Sequence, residues 1–284
     1  MNQMTVEDAA AKKIRVGCQS WGYDDWVTPA GGKLIFYPAG TKRSEMLAFY
    51  SKVFGTIEVD STLYAIPPAT TFEKWHDETP DDFIFSLKFP REVTHDRPLS
   101  PESIPVALEF VARTRLLKTK LGILLIQLPP SFEGSKENGR RLRALLAALP
   151  KDVRFAVEFR NREWFIDWTF EELERNGVTL GLVEGPWLPR ELMFEAAAGL
   201  TADFAYIRIM GERDLERFDQ IYRHRDDVLE KWGDMIRGLP ARDIYVYIDN
   251  YFEGFAPETV AKLQRLLDLP VSQAGEYQLQ GSLF

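Results

Sequence analysis

Several apolar runs of this chain contain or end in ionisable side chains. Glu58 and Asp60 lie in TIEVD, Lys88 in FSLKF, Glu158 and Arg160 in AVEFR, and Arg208 in YIRIM; Asp249 and Asn250 close YVYIDN. A charge inside an apolar segment is costly unless it is paired or faces a polar cavity. Residues two apart on a strand share a face, so Glu58 points with Asp60, and Glu158 with Arg160. The set joins the cations Lys88, Arg160 and Arg208 to the carboxylates Asp60, Glu158 and Asp249. Cations beside carboxylates suit an anionic substrate and general acid–base chemistry. Nearby positive charge keeps a carboxylate ionised, which favours a base over an acid. Glu158 or Asp60 is the expected base, with His95 as acid or orienting group. Gln127 and Asn250 would hydrogen-bond the substrate, and the cations would grip its anion. A ring of internal ion pairs closing a barrel top is the structural alternative. A two-carboxylate glycosidase also fits, its outcome fixed by the carboxyl separation.

Other chemistry has thinner support. The three histidines, His76, His95 and His224, form no HxH or HExxH pattern. Only His95 follows a strand-like run, so a histidine-rich metal site is not expected. No cofactor is predicted; a magnesium ion at the carboxylates is the one metal arrangement left open. The single cysteine, Cys18, reads as a buried packing thiol. Aromatic residues crowd the same loops, among them Trp21, Tyr64 and Trp164. They could stack on a sugar or pack the loops down. The charged stretch from Glu212 to Asp227 is expected to be a lid or a solvated loop leading into a helix.

Positioning these residues takes a repeating scaffold. Strand-like runs occur at Ile14–Cys18, Thr56–Asp60, Phe83–Lys88, Gly122–Gln127, Val153–Glu158, Val178–Val183, Phe204–Ile209 and Ile244–Asp249. Helical periodicity lies between them. Leu47, Tyr50 and Phe54 form one stripe; Val228, Trp232, Met235, Ile236 and Leu239 another; Val260, Leu263, Leu266 and Leu267 a third. Thr70 with Glu73 reads as a capping box, and Ser100 before Pro101 as an N-cap followed by a first-turn proline. The unit from Glu184 to Thr201 is weakest, interrupted by Pro186 and Pro189. Strict β/α alternation predicts a parallel sheet. Eight strands without a glycine-rich dinucleotide fingerprint predict a single closed (β/α)8 TIM-like barrel, with chemistry at the C-terminal strand ends.

The chain has 284 residues, 45% hydrophobic and 27% charged, an ordinary globular composition. The barrel is expected over 13–270, with tails at 1–12 and 271–284. One cysteine precludes an intrachain disulfide. No apolar run reaches membrane-spanning length and no signal core opens the chain, so a cytoplasmic protein is expected. A net charge of −8 argues against broad nucleic-acid binding.

Several strings occur together in order: VGCQSWGYDDW, FYP, TIEVDSTLY, FIFSLKFPREVTH, LLIQLPPSF, AVEFRNREW, YIRIMG and YVYIDNYFEGFAP. The set resembles the YecE-like family, domain of unknown function seventy-two, from about Arg15 to Leu267. The resemblance implies a TIM-like barrel and no settled activity. Its pattern lands on Trp21, Tyr64, Lys88, His95, Gln127, Glu158, Arg160, Trp164, Arg208 and Asn250. Departures fall at Asp60 and Asp249, where asparagine is usual, at Met210 and Phe255, where histidine is usual, and at Cys18, where threonine is usual. If the histidine replaced by Met210 is the family's acid or base, this protein is a divergent enzyme, and Asp249 supplies a carboxylate in partial compensation.

The end of the chain carries a separate signal. Gln280-Gly281-Ser282-Leu283-Phe284 is similar to the bacterial sliding-clamp binding motif. Leu283 and Phe284 would anchor in a hydrophobic cleft and Gln280 would hydrogen-bond at its edge. The alternative function is therefore a clamp-recruited DNA-maintenance factor or adaptor.

Overall fold

A computed structural model describes residues 12–271 and 274–275. Eight parallel strands follow chain order around a closed barrel. They are β1 (Lys13–Gln19), β2 (Thr56–Val59), β3 (Ile84–Lys88), β4 (Leu121–Gln127), β5 (Arg154–Glu158), β6 (Thr179–Glu184), β7 (Phe204–Ile209) and β8 (Asp243–Ile248). Closure is made by β1 on β8, paired from Lys13↔Asp243 to Cys18↔Ile248. The crossovers carry α1 (Arg43–Val53), α2 (Ala69–Asp77), α3 (Ile104–Thr114), α4 (Lys136–Ala148), α5 (Asp167–Asn176), α6 (Arg190–Ala197) and α7 (Asp226–Gly238); a single turn α8 (Asn250–Glu253) and α9 (Ala256–Leu266) end the barrel. The alternation predicted from sequence is the fold observed.

Apolar residues divide into two compartments. The larger lies between strands and helices, where Leu47, Tyr50, Trp232, Ile236, Val260 and Leu263 are buried as their periodicity requires. The smaller fills the barrel interior with Ile123, Leu125, Ala156, Phe204, Tyr206, Tyr245 and Tyr247. Above the apolar floor the interior turns polar. The Tyr247 hydroxyl lies 2.8 Å from both Thr56 Oγ1 and Ser86 Oγ. Parallel strands are covered on both faces, so a charge on their inward face must meet other charges there.

Local starts differ from the sequence reading in two places. The predicted capping box at Thr70 is displaced, because α2 already begins at Ala69 behind Pro68, which lends no side-chain cap. Proline fixes φ near the value a first turn needs, so the helix starts one residue after it. Ser100 does precede a proline-led turn, but that turn is a short 3-10 segment, Pro101–Ser103, leading into α3. The proline-interrupted unit still forms α6, beginning after Pro189.

Residues 210–225, between β7 and α7, contain no helix or strand. They are nevertheless tied down. A Cβ on Gly211 would stand 1.9 Å from the Tyr251 carbonyl oxygen, so only glycine lets the chain pass the end of β8. The Phe218 amide donates to Asp25 Oδ2 at 3.0 Å, and its ring packs edge-on against Tyr23 and Tyr251. The Tyr222 and Arg223 amides donate to the Glu253 carbonyl. This strap joins the loops after β1, β7 and β8. Helix α7 begins at Asp226, so the charged stretch is a pinned loop ending in a helix start.

Among the described residues no helix is long and apolar enough to cross a membrane. Gln280, Leu283 and Phe284 lie outside the described residues.

Candidate functional site

Strand parity brings Glu58, Glu158 and Arg208 into one buried layer. Arg208 is fully buried on β7 and reaches across the interior. Its Nε donates to Glu58 Oε2 at 2.9 Å and its Nη2 to Glu58 Oε1 at 2.8 Å. Nη1 donates to Glu158 Oε2 at 2.6 Å, and Nη2 also to Gln19 Oε1 at 3.0 Å. Tyr206, two residues before Arg208 on the same face, donates its hydroxyl to Glu58 Oε2 at 2.5 Å. The expectation that Arg208 grips a substrate anion is corrected here: its guanidinium is spent on Glu58, Glu158 and Gln19, and no surface of it reaches solvent. The ion-pair ring weighed as the structural alternative is present.

A second layer lies toward the mouth. Glu158 Oε1 accepts from Arg160 Nε at 2.7 Å, which fixes one edge of that guanidinium. One face of Arg160 covers the Trp187 ring at 3.4 Å from its centroid. Its side chain is 9% exposed, and among the described residues Nη1 and Nη2 have no hydrogen-bond partner. Lys88 Nζ lies 3.3 Å from Asp60 Oδ1; the lysine side chain is 6% exposed and the aspartate 33%. Asp249 caps α8, its Oδ1 accepting the Tyr251 amide at 3.2 Å. Asn250 is fully buried; its Oδ1 accepts the Ala256 amide, while Nδ2 is buried with no partner among the described residues. Gln127 Nε2 lies 3.4 Å from His95 Nε2, and His95 Nδ1 lies 2.8 Å from Thr94 Oγ1.

Electrostatics separate the carboxylates. Burial alone would raise the Glu158 carboxyl, but Arg208, Arg160 and Lys88 hold it down at about 2. Burial pushes Glu58 up to about 7 against the pull of Arg208. Asp60 is also desolvated, yet Lys88 and Arg208 keep it below the ordinary carboxylate range. Asp249 is raised, by burial and then by the negative charge of Asp60. His95 is lowered by burial, then by Lys88 and Arg160, so its neutral form is favoured. Two mouth carboxylates thus carry opposite biases, Asp60 toward the anion and Asp249 toward the acid. Among the described residues no group of three or more His, Cys, Asp or Glu side chains is arranged to hold a metal ion. The carboxylates turn to Arg208, Arg160 and Lys88 instead.

The aromatic expectations are met unevenly. Trp164 is corrected: it is buried, sandwiched between Phe132 and Phe159 at interplanar angles of 4° and 15°, and its Nε1 donates to the Phe132 carbonyl. Both ring faces are used inside the protein. Trp21 is half-buried, edge-on to Trp75 at 5.7 Å. Tyr64, in the loop after β2, is 75% exposed. Cys18 is fully buried and burial raises its thiol pKa, which makes it a packing group. Met210 and Phe255 are both buried, Phe255 edge-on to Trp26. Ser20, just beyond β1, has φ +62°, an uncommon value for a residue with a Cβ, where the chain turns from the strand into the mouth loop.

Sequence reasoning left Glu58, Gln19, Tyr206 and Trp187 outside the site. Parity was the available signal for Glu58 and Tyr206, each two residues from a selected one. Nothing in the local sequence pairs Trp187 with Arg160, which lie on loops of different strands.

A family model described as "Protein of unknown function DUF72" matches residues 15–280. The chain belongs to the DUF72 family. It is 27% identical to the UPF0759 protein YunF of Bacillus subtilis, over 94% of this chain and 99% of that protein. It is 28% identical to the UPF0759 protein YecE of Escherichia coli, over 58% of this chain and 55% of that one. A DUF72 family protein from Thermotoga maritima superposes with TM-score 0.70 at 27% identity, covering 90% of this chain and 99% of that one. A second, from Enterococcus faecalis, gives TM-score 0.69 at 21% identity, covering 92% and 99%, and speaks to the fold alone. The DUF72 relationship thus extends over the whole barrel and every strand end described above.

Proposed function

We propose that this DUF72 protein is an enzyme of hydrolase or isomerase type, working by general acid–base chemistry at the C-terminal barrel mouth on a small anionic or sugar-containing substrate. One observation carries the reading. Arg160 is immobilised by Glu158 and Trp187 while its outer nitrogens stay unspent. An arginine fixed on one edge and one face presents a preorganised fork to an anion. Lys88 supplies a second cation beside it. Asp60, one-third exposed and biased toward its anion, is the base. Asp249, biased toward its protonated form, is the acid, and divergent pKa values at one mouth suit such a division. His95 and Gln127 hydrogen-bond the substrate. Glu158, buried between two arginines, serves as the counter-ion that positions Arg160, so the base role falls to Asp60.

The test is turnover, followed by NMR across a panel of sugar acids, sugar phosphates and small carboxylic acids. Asp60→Asn is expected to lower kcat by roughly 10²–10⁴-fold in a protein that stays folded. Arg160→Lys is expected to raise KM. Wild-type kinetics in both variants would refute the assignment.

A further inference from the structure

The mouth has an acceptor side as well as a cationic one, and their balance narrows the ligand. Four carboxylates (Glu58, Asp60, Glu158, Asp249) meet three cations (Lys88, Arg160, Arg208) at the top of the barrel. In the buried layer, Arg208 and Arg160 cancel Glu58 and Glu158. Toward solvent, Lys88 cancels Asp60. Asp249 is left over, with Arg213 of the strap close enough to act on both it and Arg160. With Asp249 held as the acid, Arg213 leaves the mouth one surplus positive charge. One such charge suits a monoanion and falls short of a dianion.

The unspent hydrogen-bonding groups tell the same story from another side. Donors are the outer nitrogens of Arg160, the ammonium of Lys88 and the orphaned, buried Nδ2 of Asn250. Acceptors are Asp60, whose Oδ1 has among the described residues only the 3.3 Å ion pair with Lys88, and Asp249, whose carboxyl accepts only the Tyr251 amide among the described residues. An ionised carboxylate accepts and does not donate, so Asp60 recognises a ligand that brings O–H groups. A planar, edge-on guanidinium matches a carboxylate in two-point geometry.

We propose that the substrate is a polyhydroxylated monocarboxylate, that is, a sugar acid. Its carboxylate sits on the outer edge of Arg160, and its hydroxyls donate to Asp60 and Asp249 while accepting from Lys88 and Asn250 Nδ2. The proposal rests on the reading of the mouth as an anion-binding active site and narrows it: the anion and the sugar are one molecule, and a phosphate ester is disfavoured.

The experiment is a calorimetric titration of the full-length protein with five probes: D-gluconate, D-glucuronate, D-glucose, D-glucose 6-phosphate and acetate. One of the sugar acids is expected to bind at least about 10-fold more tightly than acetate, glucose or the phosphate ester. Arg160→Lys should abolish that preference over glucose. Asp60→Asn should abolish the preference over acetate. Arg160→Lys retains a cation for Glu158, so the test does not depend on a variant with an unpaired buried carboxylate. Tighter Arg160-dependent binding of glucose 6-phosphate, or equal binding of acetate and both sugar acids, would overturn the sugar-acid proposal and leave the anion site standing. Failure of every probe to bind in an Arg160-dependent way would overturn both.

Discussion

Arg208 is the most informative residue to remove. Arg208→Met keeps much of the side-chain volume and deletes the charge. Two buried carboxylates then lose hydrogen bonds of 2.6 to 2.9 Å. Glu158 retains Arg160 at 2.7 Å, whereas Glu58 retains only the Tyr206 hydroxyl. Breaking a buried ion pair by removing one partner costs about 3–5 kcal/mol, because an uncompensated charge is left behind. For a chain of this size that corresponds to a fall in Tm of roughly 6–20 °C at neutral pH. The loss must depend on pH in a definite sense. Glu58 is already raised to about 7 by burial, and without Arg208 it rises further. Its unfolded pKa is near 4.3, so the folded variant holds the extra proton and stability falls as pH climbs through this window. Thermal melts of variant and wild type at pH 5, 6, 7 and 8 should show a deficit that widens toward pH 8. A deficit below about 1 kcal/mol at every pH, within the range of exposed ion pairs, would refute the placement of Arg208 as the buried counter-ion of Glu58. So would a deficit that widens toward acid.

Glu158 should govern the acid limb of wild-type stability. Its carboxyl is held at about 2, below its unfolded value, so its stabilisation is complete above about pH 4.3 and disappears as pH falls toward 2. Glu158→Gln is expected to flatten urea-unfolding free energies over that interval, and an unchanged slope would exclude the assignment. The two tryptophans near the β5 and β6 ends should separate stability from binding. Trp164→Ala is expected to cost about 3–5 kcal/mol, because it empties a stacked, buried site. Trp187→Ala should cost much less stability but weaken anion affinity by freeing Arg160. Equal effects of the pair on melting temperature would contradict this division.

The fold was legible because periodicity survives in single elements. All eight expected runs match their strands to within about one residue at each end, as Gly122–Gln127 does with Leu121–Gln127. Even the proline-broken stretch before Thr201 yields a helix, since Pro189 stands at its start, where a missing N–H costs nothing. Facing was legible too: Arg208, Glu58 and Glu158 all point inward as a costly outward charge predicts. Partnership was not. Arg208 finds Glu58 150 residues away and Glu158 50 away, and it was the closing of the barrel that decided whether it met a ligand or a carboxylate. Trp164 failed for a related reason. An aromatic residue after a strand can lie over the mouth or under the loop, and the choice was set by Phe132 from the neighbouring β4 loop.

The two charged layers are mechanically connected, which explains why a barrel would keep four buried or half-buried carboxylates rather than an apolar plug. Gln19 and Glu58 orient Arg208; Arg208 orients Glu158; Glu158 orients Arg160. Each link is a short hydrogen bond in a dry interior, where such bonds are strong and a misplaced group is expensive. The last member alone keeps unspent donors toward the mouth. A guanidinium held this way loses little freedom when an anion arrives. In the proposed function the buried layer would contribute to binding without touching a ligand, through the orientation of Arg160. Replacing Glu58 with Gln would test that connection at its far end. The substitution preserves shape and removes the charge that fixes two nitrogens of Arg208. Anion affinity at Arg160 should weaken, while Lys88 and Asp60 keep their 3.3 Å pairing. Unaltered affinity in a folded Glu58→Gln protein would mean that Arg160 is positioned by Glu158 and Trp187 alone.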